Sequence, residues 1–114
     1  MIKLKRAYDA PAAGDGFRVL VDRLWPRGVT KTKAKIDLWL KDIAPSDALR
    51  KSFGHEPEKW PAFKKEYGSE LIGKKELLKR LKALEREHKT LTLVFAAKDA
   101  ERNNAVVIRS RLAR

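Results

Sequence analysis

The chain has 114 residues, no cysteine, 43% hydrophobic residues and a formal net charge of +12 at pH 7. That length and composition fit one domain with a real core, and the missing thiols exclude a disulfide framework, a thiolate-ligated metal and a cysteine nucleophile. No apolar run approaches the roughly 18 residues that span a bilayer, and residues 1–6 alternate Ile2 and Leu4 with lysines instead of forming a signal-peptide core, so the cytoplasm is the expected location.

Residues Ile2 to Arg6 read as a first strand. Pro11, Gly14 and Gly16 mark a loop, and Phe17 to Asp22 a second strand. The glycine pair precedes its strand, and Val19 stands where a third glycine should be, so a dinucleotide-binding loop is rejected. Lys31 to Lys35 reads as a basic loop. Ile36, Leu38 and Leu40 then alternate with Asp37, Trp39 and Lys41 as a half-buried third strand, although a short helix could use the same residues. Pro45 stops that segment, and Ser46 with Asp47 caps a helix to about Phe53.

Beyond the turn at Gly54 to Pro57, Trp60, Phe63 and Tyr67 share one face of a helix expected to end near Gly68. From Lys74 to His88, Leu77, Leu78, Leu81 and Leu84 form a stripe, with Glu76 four residues before Arg80 on the exposed side. Thr90 to Ala97 hardly alternates, the pattern of a strand covered on both faces in a parallel sheet. Asn103 or Asn104 caps a last helix running to about Ala113 and burying Ala105, Ile108 and Leu112. The expected fold class is therefore α/β, a single domain over residues 1–114 with a small, largely parallel sheet flanked by helices.

Ligands of open α/β sheets bind outside the carboxyl ends of the strands. Charged and polar residues leave two of the expected strands there: Asp22, Arg23, Trp25 and Arg27 after the second, and Lys98, Asp99, Asn103 and Asn104 after the last. If these strands are parallel neighbours, both groups face one cleft, and the start of the last helix adds its positive dipole end. The cleft would then take a small phosphate- or carboxylate-bearing ligand, with Arg23 and Arg27 as a clamp, Lys98 as added charge and both asparagines as hydrogen-bonding groups. Asp22, Asp99 and His55 are the candidate proton carriers if a reaction occurs. The plainer alternative is that Asp22 pairs with Arg23, Arg27 or Lys98 to hold the loops while the asparagines only cap a helix.

Other chemistry finds less support. His55-Glu56-Pro57-Glu58-Lys59 copies half of a zinc-protease motif but has Lys59 in place of its second histidine, so no metal is expected. No nucleophile elbow, phosphate-cradling glycine loop or other cofactor motif is present, so no cofactor is implied. A competing partner is nucleic acid, engaged with little sequence preference through Lys31, Lys33, Lys35 and the basic helix in the second half. The two short helices around Gly54 lack a run of base-reading Arg, Asn or Gln.

Val21-Asp22-Arg23-Leu24-Trp25-Pro26-Arg27-Gly28, Trp39-Leu40-Lys41, Ala44-Pro45-Ser46, Leu49-Arg50-Lys51, Phe53-Gly54-His55, Ala96-Ala97-Lys98-Asp99 and Asn103-Asn104-Ala105-Val106-Val107 closely resemble the YeaO-like proteins. The resemblance covers nearly the whole chain. It implies a compact bacterial α/β domain and brings no assigned activity. Members of the wider group have a Cys and an Arg near the last helix, where this chain carries Asn103 and Asn104, so thiol chemistry does not transfer to it.

Overall fold

In the computed structural model, which describes residues 1–113, Gly16 sets how the sheet is built. Its φ is +63°, and a Cβ there would lie 2.3 Å from the Thr90 carbonyl oxygen. Only glycine lets the two backbone segments approach so closely, and the next residue, Phe17, donates its N–H to that same oxygen at 3.0 Å. From this point β2 (Phe17–Leu20) runs parallel to β4 (Leu91–Phe95), with Phe17 beside Leu91 and Leu20 beside Val94. On the far side of β4 lies β1 (Ile2–Arg6), and beyond β2 lies β3 (Leu38–Trp39), giving the all-parallel order β1-β4-β2-β3. Every residue of β4 is buried, as its unbroken apolar pattern requires.

The helices are α1 (Lys31–Ala34), α2 (Asp47–Phe53), α3 (Trp60–Ile72), α4 (Lys75–His88) and α5 (Asn104–Leu112). One sheet face, carrying Val19, Leu91, Leu93 and Phe95, packs under Phe63, Tyr67, Leu71, Leu81 and Ile108 from α3, α4 and α5. The other face has a smaller apolar cluster of Ala7, Leu20 and Val94 beneath Trp25, Ile36 and Trp39. It also holds a buried ion pair: Arg18 Nη1 meets Asp15 Oδ2 at 2.6 Å, and Arg18 Nε and Nη2 both donate to the Ala34 carbonyl of α1. Burial alone would raise the Asp15 carboxyl, but the Ala12 N–H, Lys5 and Arg18 outweigh it and hold it below its usual range.

Three expectations are corrected. The basic loop at Lys31 to Lys35 is instead a turn of helix, because Thr30 Oγ1 accepts the Lys33 N–H at 3.2 Å as a cap. The strand expected over residues 36–40 pairs as a ladder only at Leu38–Trp39, since the Asp37 carboxylate takes the Arg18 N–H at 2.8 Å in place of a backbone carbonyl. The helix expected to end near Gly68 continues to Ile72. Gly68 is a packing residue: a Cβ there would come within 2.6 Å of Arg111 Nη2, where α5 crosses α3.

Candidate functional site

Because β2 and β4 are parallel neighbours, their carboxyl ends open at the same edge, where the first residue after Val21 is Asp22. Its Oδ2 accepts the Ala96 N–H at 2.9 Å and its Oδ1 accepts the Asn104 side-chain amide at 3.0 Å. The same amide donates to the Val21 carbonyl at 3.0 Å, so Asn104 ties the start of α5 to the end of β2, while the Asp22 carboxylate joins that end to Ala96 just beyond β4. The backbone carbonyl of Asp22 accepts the Trp39 indole N–H at 2.7 Å. Burial pushes the Asp22 carboxyl above its ordinary range, against the opposing pull of Asn104, the Ala96 N–H and the charges of His55 and Arg50. Among the described residues Asp22 forms no ion pair, so it is not the loop-bracing partner of Arg23, Arg27 or Lys98.

Above this carboxyl opens a cavity of about 560 Å³. All nine candidates from the sequence line it: Asp22, Arg23, Trp25, Arg27, His55, Lys98, Asp99, Asn103 and Asn104. Arg50 of α2 joins them, and Phe53, Phe63, Pro26 and Pro45 supply apolar wall. The sequence reading missed Arg50, although its place one helical turn before Phe53 put it on the face that reaches the strand ends. The aromatic wall was missed too, because a Trp60, Phe63, Tyr67 stripe reads as core. Phe63 is indeed buried at 4% exposure, yet it also borders the cavity.

The cations differ in what holds them. Arg23 Nη2 makes a long 3.5 Å contact with the Ala44 carbonyl, which already accepts Lys74 Nζ at 2.9 Å. Arg23 Nε is buried with no acceptor, an unpaired donor of the kind folded proteins rarely leave. Arg50 Nη2 contacts Asp47 at 3.4 Å on an exposed stretch, a weak tether. Arg27 and Lys98 form no ion pair among the described residues.

Several polar candidates are already committed within the fold. The Asp99 carboxylate accepts the Glu101 and Arg102 N–H groups and pairs with Arg102 Nη1 at 3.1 Å, which together hold it below its usual range. Asn103 caps α5 by accepting the Val106 N–H at 3.1 Å and donates to the Asp99 carbonyl at 2.9 Å. The Trp25 indole N–H is given to the Val29 carbonyl at 2.6 Å, and its ring meets Trp39 edge-on at 5.5 Å. His55 stands at φ +59°, directly after Gly54 at φ +54°. Two successive left-handed residues hold its imidazole at the cavity, 6.1 Å from the Phe53 ring.

Among the described residues no Ser, Thr, Cys or Tyr side chain borders the cavity. Among the described residues no group of three or more His, Cys, Asp or Glu side chains gathers to hold a metal, and no helix is long and apolar enough to cross a membrane. The two basic segments considered for nucleic acid fall on opposite faces of the sheet. Ala34 of α1 is bonded to Arg18 on one face, while the leucines of α4 pack on the other.

The family described as the inactive DUF488-N3 subclade matches residues 1–114. An Escherichia coli protein described as uncharacterized protein YeaO is 42% identical over 107 residues, covering 94% of this chain and 92% of its own. Uncharacterized proteins of Mycobacterium bovis and Mycobacterium tuberculosis are each 36% identical over 107 residues, covering 94% of this chain and 89% of theirs. No solved structure matches the chain.

Proposed function

From the premise that the chain belongs to the YeaO-like inactive DUF488-N3 subclade, we propose that it binds a small phosphate- or carboxylate-bearing ligand at the carboxyl ends of β2 and β4 and does not turn it over. The observation that carries this reading is the weakly held Arg23 guanidinium, with one 3.5 Å contact and an unpaired Nε, lining a cavity that Arg27, Arg50 and Lys98 also line. A guanidinium held by one long contact to an oxygen that already has a better donor is readily released to turn toward an oxyanion. Arg27, Arg50 and Lys98 add charge at the cavity, and Asn104 fixes the wall through Asp22.

Binding without turnover is favoured by what borders the cavity. It has neither hydroxyl nor thiol to serve as a nucleophile. Both of its carboxylates carry structural hydrogen bonds, Asp22 to Ala96 and Asn104, and Asp99 to the turn before α5. The description of the family as inactive agrees with this. A nucleic-acid backbone is less favoured, because the two basic segments do not form one surface.

Thermal unfolding tests the reading. Millimolar phosphomonoesters or carboxylates raise the melting temperature of the wild type and leave an Arg23→Ala variant unshifted. Equal shifts in both proteins, or no shift in the wild type, would remove the basis of the assignment.

A further inference from the structure

The cavity is far larger than an inorganic anion needs. A phosphate ion displaces the volume of only a few waters, each about 30 Å³ in the liquid, whereas about 560 Å³ is available. That volume lies within the range of about 300–1,000 Å³ typical of pockets that enclose a whole organic molecule. The remaining wall has a definite chemistry. Phe53 and Phe63 stack at 4.5 Å between ring centroids, and both residues line the cavity with Pro26 and Pro45, as do the cations Arg23, Arg27, Arg50 and Lys98. Phe53 is fixed as the last residue of α2 and Phe63 by the first turn of α3, so the apolar wall is built on two packed helices.

We infer that the ligand is an anion carried on an aromatic or heteroaromatic ring, the ring lying against Phe53 and Phe63 and the anionic group on Arg23 and its neighbouring cations. This rests on the anion-binding reading and narrows it. Water against the two phenyl rings is poorly hydrogen-bonded, and an aryl group that displaces it gains both apolar burial and ring-ring contact. A bare anion gains neither. A flat apolar molecule without charge leaves the Arg23 guanidinium as weakly held as before.

The experiment is calorimetric titration of the whole chain with matched pairs of ligands: phenyl phosphate against methyl phosphate, and benzoate against acetate. Charge and head group are equal within each pair, so the difference reads the ring alone. In at least one pair the aryl member binds about tenfold tighter or better, while phenol binds more weakly than phenyl phosphate. A Phe53→Leu variant, checked for folding by its melting temperature, loses most of that ratio, and an unchanged ratio in a folded variant overturns the inference. Should a variant fail to fold, cyclohexyl phosphate on the wild type replaces it, and weaker binding than phenyl phosphate is expected. Equal affinities within both pairs overturn the inference and leave the anion site standing. Absence of binding by all four overturns both.

Discussion

The side-chain amide of Asn104 donates at 3.0 Å to the Asp22 carboxylate and at 3.0 Å to the Val21 carbonyl, joining the first residue of α5 to the end of β2. Without that amide, two acceptors in a partly buried position lose their donor, and leaving such groups unpaired costs about 1–3 kcal/mol. Asn104→Ala should therefore lower the unfolding free energy by about that amount in urea denaturation. It should also weaken anion-dependent stabilisation, because Asp22 and the loop that carries Arg23 are no longer fixed to α5. An Asn104→Ala protein as stable as the wild type would show that the tie does not organise the strand ends.

Two carboxylates, the half-buried Asp22 and the buried Asp15, should respond to pH with opposite signs. Burial raises Asp22 from 3.8, against the charges of His55 and Arg50 and the bonds from Asn104 and Ala96, so the folded state holds its proton more tightly than the unfolded state. Its favourable contribution is present below 3.8 and is lost as pH rises through the raised value. Asp15 lies below 3.8, so its contribution is present above 3.8 and is lost as pH falls through the lowered value. Measured between about pH 3 and 7, the wild type should lose stability relative to Asp22→Asn as pH rises, and gain it relative to Asp15→Asn. Parallel curves for the two comparisons would contradict the assignment.

Asp15 also marks the limit of what could be read from letters. β1, β2, β4, α4 and α5 follow from alternation, leucine spacing and a capping asparagine, all local signals. The convergence of Arg23 and Lys98 is conditional in the sequence on the second and last strands being parallel neighbours, an adjacency that only the sheet order supplies. Yet Gly14-Asp15-Gly16 reads as a solvated turn, and Arg18 interrupts an apolar run. Only the fold brings Lys5, Ala34 and Thr92 around them, with Thr92 Oγ1 donating to the Asp15 carbonyl at 2.6 Å. Gly68 misleads for the same reason, because its role is to admit Arg111 from a distant helix. Phe53 and Phe63 look like core because they are core. That part of each also walls a cavity depends on where α2 and α3 meet, which no spacing encodes.

Gly16 should tolerate no side chain. Its backbone, at φ +63° and ψ −133°, lies where essentially only glycine is found, and a Cβ would stand 2.3 Å from the Thr90 carbonyl oxygen. Strain of about 1–3 kcal/mol and overpacking of about 1–3 kcal/mol act together there, so Gly16→Ala should cost more than about 2 kcal/mol in equilibrium unfolding. Gly68→Ala is the informative contrast. Its Cβ meets only the far end of Arg111, which can swing aside, so the loss there should be the smaller of the two.

His55 offers a separation of stability from ligand binding. A histidine at φ +59° after another left-handed residue carries local strain that a glycine does not. His55→Gly should therefore keep or raise the melting temperature of the ligand-free protein by relieving that conformation. The same change deletes an imidazole that borders the cavity and whose charge bears on Asp22. If the backbone is held in this conformation to present the imidazole to the ligand, the melting shift produced by an anion should shrink in the variant. A variant that is destabilised without ligand, yet shifts as far as the wild type with it, would make His55 a turn residue and nothing more.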